Sequence, residues 1–219
     1  DPDAAFGALD RISDAGIRKN ISNEITWEAI ERDPLAAERW IRGMTGDQYA
    51  HSLGLLGAFH AHTDLDTARR LLQESIDSGA RNVAWVSEEI ASSFAQRDPA
   101  AAASWVMTLP PGDPVQHGAE GVVRAWVAKD PVAASEWVAT LPSGDARNGA
   151  IYYLVHGILR SDPASAFQWA ASIEGDAPKQ RYLLEAATDA WNSTAPTAAR
   201  SAIEALPLPV VEREALLKR

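Results

Sequence analysis

Hydrophobic and polar positions alternate along this chain with the period of an α-helix, in segments that restart every 31 to 34 residues. Four segments open with the phrase Asp-Pro-x-x-Ala-x-x-Trp, starting at Asp33, Asp98, Asp130 and Asp162. Counted from each proline, apolar residues recur at +3, +6, +7 and +10, which is one face of an amphipathic helix. Aspartate can accept hydrogen bonds from the first helical turn, and proline fits the first helical position. The phrase therefore predicts the start of a short helix.

Each predicted first helix ends at a turn and is followed by a second amphipathic helix. The turns read Leu-Pro-Pro-Gly-Asp from Leu109 and Leu-Pro-Ser-Gly-Asp from Leu141, with shorter versions after Met44 and Ile173. Proline disfavours helix in the residue before it, glycine permits a positive φ, and we expect the aspartate to cap the second helix. One unit is therefore predicted to be two antiparallel helices.

Weaker copies of the phrase begin at Asp1, Asp64 and Ala195, which gives seven phased copies, about six complete and a seventh that ends early. No useful stretch alternates with a period of two, so the predicted class is all-α. A two-helix unit cannot bury both of its apolar stripes alone, whereas stacked units can. We therefore predict an α-solenoid that forms a single domain over residues 1–219, with tryptophans packed between units. The predicted unit boundaries are 1–32, 33–63, 64–97, 98–129, 130–161, 162–194 and 195–219.

Composition narrows the classes of function. The net charge is −10, and no segment is strongly basic, which disfavours binding to nucleic acid or to an anionic membrane. No apolar run approaches the length of a membrane span. The absence of cysteine excludes disulfides, thiolate metal sites and a cysteine nucleophile. Residue 1 is Asp, so we expect a processed or excised chain; its compartment stays open, and an exported protein that has lost a signal peptide or anchor is one alternative.

The Asp-Pro-x-x-Ala-x-x-Trp phrase resembles the start of the first helix of a tetratricopeptide repeat, where Pro, Ala and Trp stand in the same order and spacing. After the tryptophan the chain departs from that family, because a Leu-Pro-x-Gly-Asp turn arrives early and the period is near 32. The chain is similar to bacterial tandem helical-repeat proteins of this superfamily. The resemblance implies a right-handed superhelix whose concave face, lined by the first helices, holds a peptide or a partner helix.

Histidines are the first candidates for chemistry. His60 and His62, followed by Asp64, lie at the end of a second helix, but residues two apart diverge on a helix, so polar helix-end histidines are favoured over a metal site. His117 and Glu120 stand three apart on one helix face, the spacing of half a di-metal motif, and an ordinary helical pair is favoured there too.

The remaining candidates for catalysis are also weak. His51 and His117 share the same phase within their units, which favours equal packing roles, and Glu88 and Glu89 are adjacent, so they diverge on a helix. No nucleophile elbow, phosphate-binding loop or dinucleotide motif is present. We expect no catalytic residue, no cofactor and no enzymatic activity. The tryptophans could also form a carbohydrate-stacking surface, but their place in the apolar stripe favours the core.

The sequence favours a protein-binding or peptide-binding scaffold that uses the exposed flank of the first helices, at +4 and +8. Met107 and Phe167 stand out because apolar residues at positions that should face solvent are typical of binding surfaces. Two alternatives stay open: a small-ligand or metal-binding helical domain associated with an enzyme, using a pocket near His51, His60 and His62, and a structural spacer in a larger exported protein. The candidate partner-binding residues are Glu38, Arg42, Arg69, Gln73, Met107 and Phe167.

Overall fold

A computed structural model describes residues 2–9, 11–80 and 83–219, and the regular elements within these ranges are fourteen α-helices. The predicted all-α class is confirmed. The helices form seven pairs, each with a first and a second member. The first helices are α1 (Pro2–Leu9), α3 (Pro34–Ile41), α5 (Leu65–Asp77), α7 (Pro99–Val106), α9 (Pro131–Thr140), α11 (Pro163–Ala171) and α13 (Pro196–Ala205). The second helices are α2 (Ala15–Arg32), α4 (Gly46–His60), α6 (Ala84–Arg97), α8 (Asp113–Trp126), α10 (Asp145–Ile158), α12 (Ala177–Asn192) and α14 (Val210–Leu217).

The seven first helices begin at the positions that the sequence predicts. The aspartates that precede them act as N-caps, because each carboxylate accepts a hydrogen bond from the backbone N–H three residues later. The oxygen-to-nitrogen distances are 2.9 to 3.1 Å at Asp33, Asp64, Asp98, Asp130 and Asp162. Hydrogen bonds from the backbone N–H and the hydroxyl of Thr67 hold the pKa of Asp64 below its usual value. Those from the hydroxyl and the backbone N–H of Ser165 lower the pKa of Asp162 in the same way. Asp1, the predicted cap of α1, lies outside the described residues.

The prediction that an aspartate caps each second helix is wrong at three of four turns. Asp113 and Asp145 are the first residues of their helices, and the preceding Gly112 and Gly144 are the N-caps, with φ of 102° and 139°. Only glycine adopts such a backbone without strain, so the turn is set by the glycine. Asp47 likewise lies inside α4. Asp176 does cap α12, through a 3.2 Å hydrogen bond from the Lys179 N–H.

The apolar stripe of the first helices forms the core. The +3 and +7 residues are buried in the six first helices from α3 to α13. The tryptophans at +6 are only partly buried, and they pack at the margin of the core rather than at its centre. Their rings meet other aromatic rings, for example Trp126 and Trp137 at 6.3 Å and Phe94 and Trp105 at 6.2 Å between centroids. The fully buried +3 and +7 residues are Ala37 and Ile41, Ala68 and Leu72, Ala102 and Val106, Ala134 and Val138, Ala166 and Ala170, and Ala199 and Ile203.

The helices stack so that each pair contacts only its neighbours. Each first helix packs against the second helix of its own pair and against the second helix before it. The backbones of consecutive second helices also approach one another, from α2 through α14. Consecutive first helices lie further apart and meet through long side chains, for example Phe6 of α1 and Trp40 of α3, whose ring centroids are 4.9 Å apart. The second helices are therefore the more closely spaced row. The right-handed twist implied by the resemblance stays a prediction.

Candidate functional site

Two of the predicted partner-binding residues, Glu38 and Arg42, belong to an ion-pair network within the chain. Arg42 forms an ion pair with Glu38 one turn earlier on α3, at 2.7 Å, and another with Glu74 on α5, at 2.9 Å. The Tyr49 hydroxyl of α4 donates a 2.6 Å hydrogen bond to the same Glu74 carboxylate. Hydrogen bonds from Arg42 and Tyr49 hold the pKa of Glu74 below its usual value. This network ties α3, α4 and α5 together.

Arg69 and Gln73, on α5, also make contacts within the chain. The Arg69 guanidinium lies over the rings of Phe94 and Trp105, at 5.4 and 6.0 Å from their centroids, so it bridges α6 and α7 by cation–π contacts. Gln73 donates a 2.8 Å hydrogen bond to Asp77 on the same helix. Arg69 is thus engaged between neighbouring helices, whereas Gln73 stays exposed on α5.

The two apolar candidates differ. Met107 is 48% exposed at the end of α7, as the sequence predicts. The prediction that Phe167 faces solvent is wrong, because Phe167 is only 2% exposed and its ring lies 5.5 Å from that of Trp191 on α12. The returning second helix covers this flank of α11, so +4 belongs to the core at this point of the stack.

Polar and aromatic side chains follow one line over four consecutive second helices, α6, α8, α10 and α12, in which Glu120 of α8 and Tyr152 of α10 stand one repeat period apart. On α6 and α8 the line is charged: the Arg124 guanidinium lies 3.0 Å from Glu88. On α10 and α12 it is aromatic: the Tyr152 and His156 rings lie 4.3 Å apart, and His156 stacks near Tyr182 at 6.1 Å. We call this line the polar-aromatic stripe. It consists of Glu88, His117, Glu120, Arg124, Tyr152, His156 and Tyr182.

The charged part of the stripe brings three candidate metal ligands together. Glu88, His117 and Glu120 each offer one donor atom, and these atoms lie within 4.8 Å of one another. His117 Nδ1 is 3.0 Å from Glu120 Oε2, and Gln116 Nε2 donates a 3.2 Å hydrogen bond to Glu120 Oε1. Glu120 is buried, with 8% of its surface exposed. An imidazole and two carboxylates form a donor set suited to a divalent transition ion.

Two glycines allow the second helices to approach closely at this cluster. A Cβ atom on Gly121 of α8 would lie 2.3 Å from the Glu88 carbonyl oxygen of α6. A Cβ atom on Gly149 of α10 would lie 2.2 Å from Glu120 Oε1. Any larger residue at either position would push two helices apart or displace the Glu120 carboxylate. The cluster therefore depends on glycine on both sides.

The cluster also acts on the neighbouring helix α10. Burial raises the pKa of Tyr153 above its usual value, and the negative charges of Glu88 and Glu120 raise it further. Arg124 acts in the opposite direction. The phenol of Tyr153 therefore stays neutral at physiological pH beside the two carboxylates.

The other histidines take separate roles. His62 Nε2 lies 2.8 Å from Glu89 Oε1, and its Nδ1 lies 3.2 Å from the Ser93 hydroxyl, so it contacts α6. Asp64 is used as the cap of α5, and the structure does not bring His60, His62 and Asp64 together as a ligand group within the described residues. His51 Nε2 lies 2.8 Å from Asn23 Oδ1, and burial lowers the pKa of His51, with a further lowering from the charge of Lys19.

Sequence reasoning found His117 and Glu120 on one face but missed Glu88 as their neighbour. The missing information was the register between two second helices. The repeat period indicates that register, because residues 32 apart contact each other elsewhere in the stack. Arg42 contacts Glu74, and the Ser93 hydroxyl donates a hydrogen bond to the Ala61 carbonyl oxygen. Glu88 and Glu120 are separated by the same interval. Residues one period apart are thus packing neighbours.

Comparison with protein-family models, with curated proteins and with solved structures finds no match for this chain. Among the described residues, no helix combines the length and the apolar character that crossing a bilayer requires.

Proposed function

We propose that this protein is a non-enzymatic scaffold that binds a protein or peptide segment along the polar-aromatic stripe. The observation that supports the proposal is that polar and aromatic side chains of the stripe occur on four consecutive second helices. Tyrosine and arginine are the residue types that most often dominate binding energy at protein interfaces. The exposed ring of Tyr182, at 55% exposure, and the partly buried ring of Tyr152 offer such anchors.

The position of the stripe also favours binding there. The more closely spaced row of a stack lies on the inner side of a bend, and concave surfaces of helical arrays are their usual binding faces. In this chain that row consists of the second helices. The first-helix flank favoured by the sequence is less suitable, since Arg42 and Arg69 are engaged within the chain and Phe167 is buried. The proposed face is therefore the opposite one from that implied by the tetratricopeptide resemblance.

The stripe also suggests the chemistry of the partner. An apolar or aromatic side chain of the partner would contact Tyr152 and Tyr182, and hydrogen-bonding groups would meet His156. The scaffold contributes a surface and no reacting group in this proposal.

Selection from a displayed random-peptide library tests the proposal without knowledge of the natural partner. We expect peptides that bind the wild-type chain, and we expect Tyr182→Ala to weaken them at least about tenfold, the size of effect typical of an interface anchor. Met107→Ala, an exposed substitution at the end of a first helix, is the matched control and should leave affinity unchanged. Fluorescence polarisation with labelled peptides gives the affinities.

Two results would count against this proposal. Peptides that lose affinity with Met107→Ala but not with Tyr182→Ala would move the binding face to the first helices. A selection that enriches no peptide would favour the structural-spacer alternative instead.

A further inference from the structure

We propose that Glu88, His117 and Glu120 form a binding site for one divalent transition-metal ion, with Zn²⁺ as the representative ion. The site joins α6 to α8 in the charged part of the polar-aromatic stripe. Tyr182, the anchor that tests peptide binding, lies on α12, so the two proposals are tested by different variants. Its three donor atoms come from two neighbouring helix pairs, so a bound ion would link the third pair of the stack to the fourth.

The distances are close to those that an ion requires. Ligand atoms bound at about 2.0–2.2 Å in a tetrahedral site lie about 3.3–3.6 Å from one another. The donor atoms of the cluster lie within 4.8 Å of one another, and His117 Nδ1 and Glu120 Oε2 are already 3.0 Å apart. The Glu88 carboxylate, which is partly exposed and pairs with Arg124 at 3.0 Å, would have to move closer to the other two ligands when an ion binds. Three protein ligands leave a coordination position for water.

The charge balance favours a cation at this point. Glu120 is buried, and a buried carboxylate is stabilised by a nearby cation or by hydrogen bonds. Within the described contacts Glu120 meets the His117 imidazole and the Gln116 amide, while Arg124 pairs with Glu88. Tyr153 and Gln116 bring no positive charge. A divalent ion bound between His117 Nδ1 and the two glutamates would neutralise both carboxylates.

The glycine contacts show that two positions beside the cluster have no room for a larger residue. Gly121 lets α8 lie directly on the α6 backbone at Glu88, and Gly149 leaves room for the Glu120 carboxylate. The pair formed by His62 and Glu89 provides a contrast on the same helix α6. Its nitrogen-to-oxygen distance is 2.8 Å, but the described residues place no second carboxylate with it in a ligand group.

Zn²⁺ titration of the metal-stripped full chain, by calorimetry and by competition with a chromophoric chelator, tests the site. We expect one equivalent to bind. Glu88→Gln and His117→Gln should each weaken binding at least about tenfold, because each removes one of three ligands. His62→Gln is the matched control, since it removes a histidine that also pairs with a glutamate, and it should change the affinity less than about twofold.

Arg124→Gln separates a metal site from a purely structural cluster. The Arg124 guanidinium competes with the ion for the Glu88 carboxylate, so its removal should strengthen Zn²⁺ binding several-fold. A structural role for the cluster predicts no gain. The visible spectrum of Co²⁺ bound in place of Zn²⁺ should report nitrogen and oxygen ligands and should be lost in His117→Gln.

Far-UV circular dichroism verifies that each variant remains helical, and if Glu120→Gln does not fold, the partly exposed Glu88 and His117 still provide the test. The proposal is wrong if no one-to-one binding occurs below about 0.1 mM Zn²⁺. It is equally wrong if His62→Gln weakens binding as much as His117→Gln does. In either case the cluster is a structural contact between α6 and α8.

Discussion

The first helices of this protein share residues at equivalent positions, whereas the exposed residues of the second helices differ from pair to pair. First helices repeat residues at the same positions: alanine stands at +3 in all seven, tryptophan at +6 in four, and an aspartate precedes six of them. These residues cap the helices or fill and border the core. Second helices keep an apolar core face but differ from pair to pair on the other side, where histidine, glutamate, arginine and tyrosine form the polar-aromatic stripe. A residue that recurs in every unit meets a structural need that every unit shares. A residue that occurs once is the better candidate for function.

The largest expected effect concerns the recurring tryptophans. Trp137→Ala should lower the free energy of unfolding by about 2–3 kcal/mol, less than the ~3–5 kcal/mol of a fully buried aromatic residue, because Trp137 lies at the core margin. Tyr182→Ala, on the exposed side of a second helix, should change it by less than about 0.5 kcal/mol. Urea unfolding measures both. Equal losses in the two variants would remove the distinction between the helix rows.

The close approach of the second helices can be tested next. Gly121→Ala should destabilise the protein by about 1–3 kcal/mol, because the new methyl group meets the backbone of α6. Gly7→Ala, at an open position of α1, is the control and should stabilise it by about 0.5–1 kcal/mol, the usual gain of alanine over glycine in a helix. Thermal unfolding compares them. A harmless Gly121→Ala would mean that α6 and α8 can separate freely.

The smallest effect distinguishes the two kinds of helix start. Asp130→Ala removes a side-chain cap from a first helix and should cost about 1 kcal/mol. Asp113→Ala, inside the first turn of a second helix, loses only a favourable interaction with the helix dipole and should cost about 0.3 kcal/mol. Chemical denaturation of the two variants side by side gives the difference. A larger loss at Asp113 would restore it as the cap that the sequence suggested.

The sequence predicts most of the fold because each helix carries its own start signal and its own stripe. Asp130 and its equivalents lead directly to the helix starts, and the period-3.6 pattern identifies Ala134 and Val138 as core residues. Phe167 was misplaced because the pattern of one helix does not show which flank the next helix covers. Glu88 was missed because its neighbours lie on another helix, and only the register between units brings them together.

The neighbour-only packing of the helix pairs has a mechanical consequence. Every substantial contact among the described helices lies within a pair or between adjacent pairs, so no long-range interaction locks the two ends of the chain together. Pulled from its termini, such a stack yields unit by unit, each step releasing roughly 100 Å of extended chain. A metal ion bound between the third and fourth pairs would cross-link them and raise the force needed to separate those two pairs.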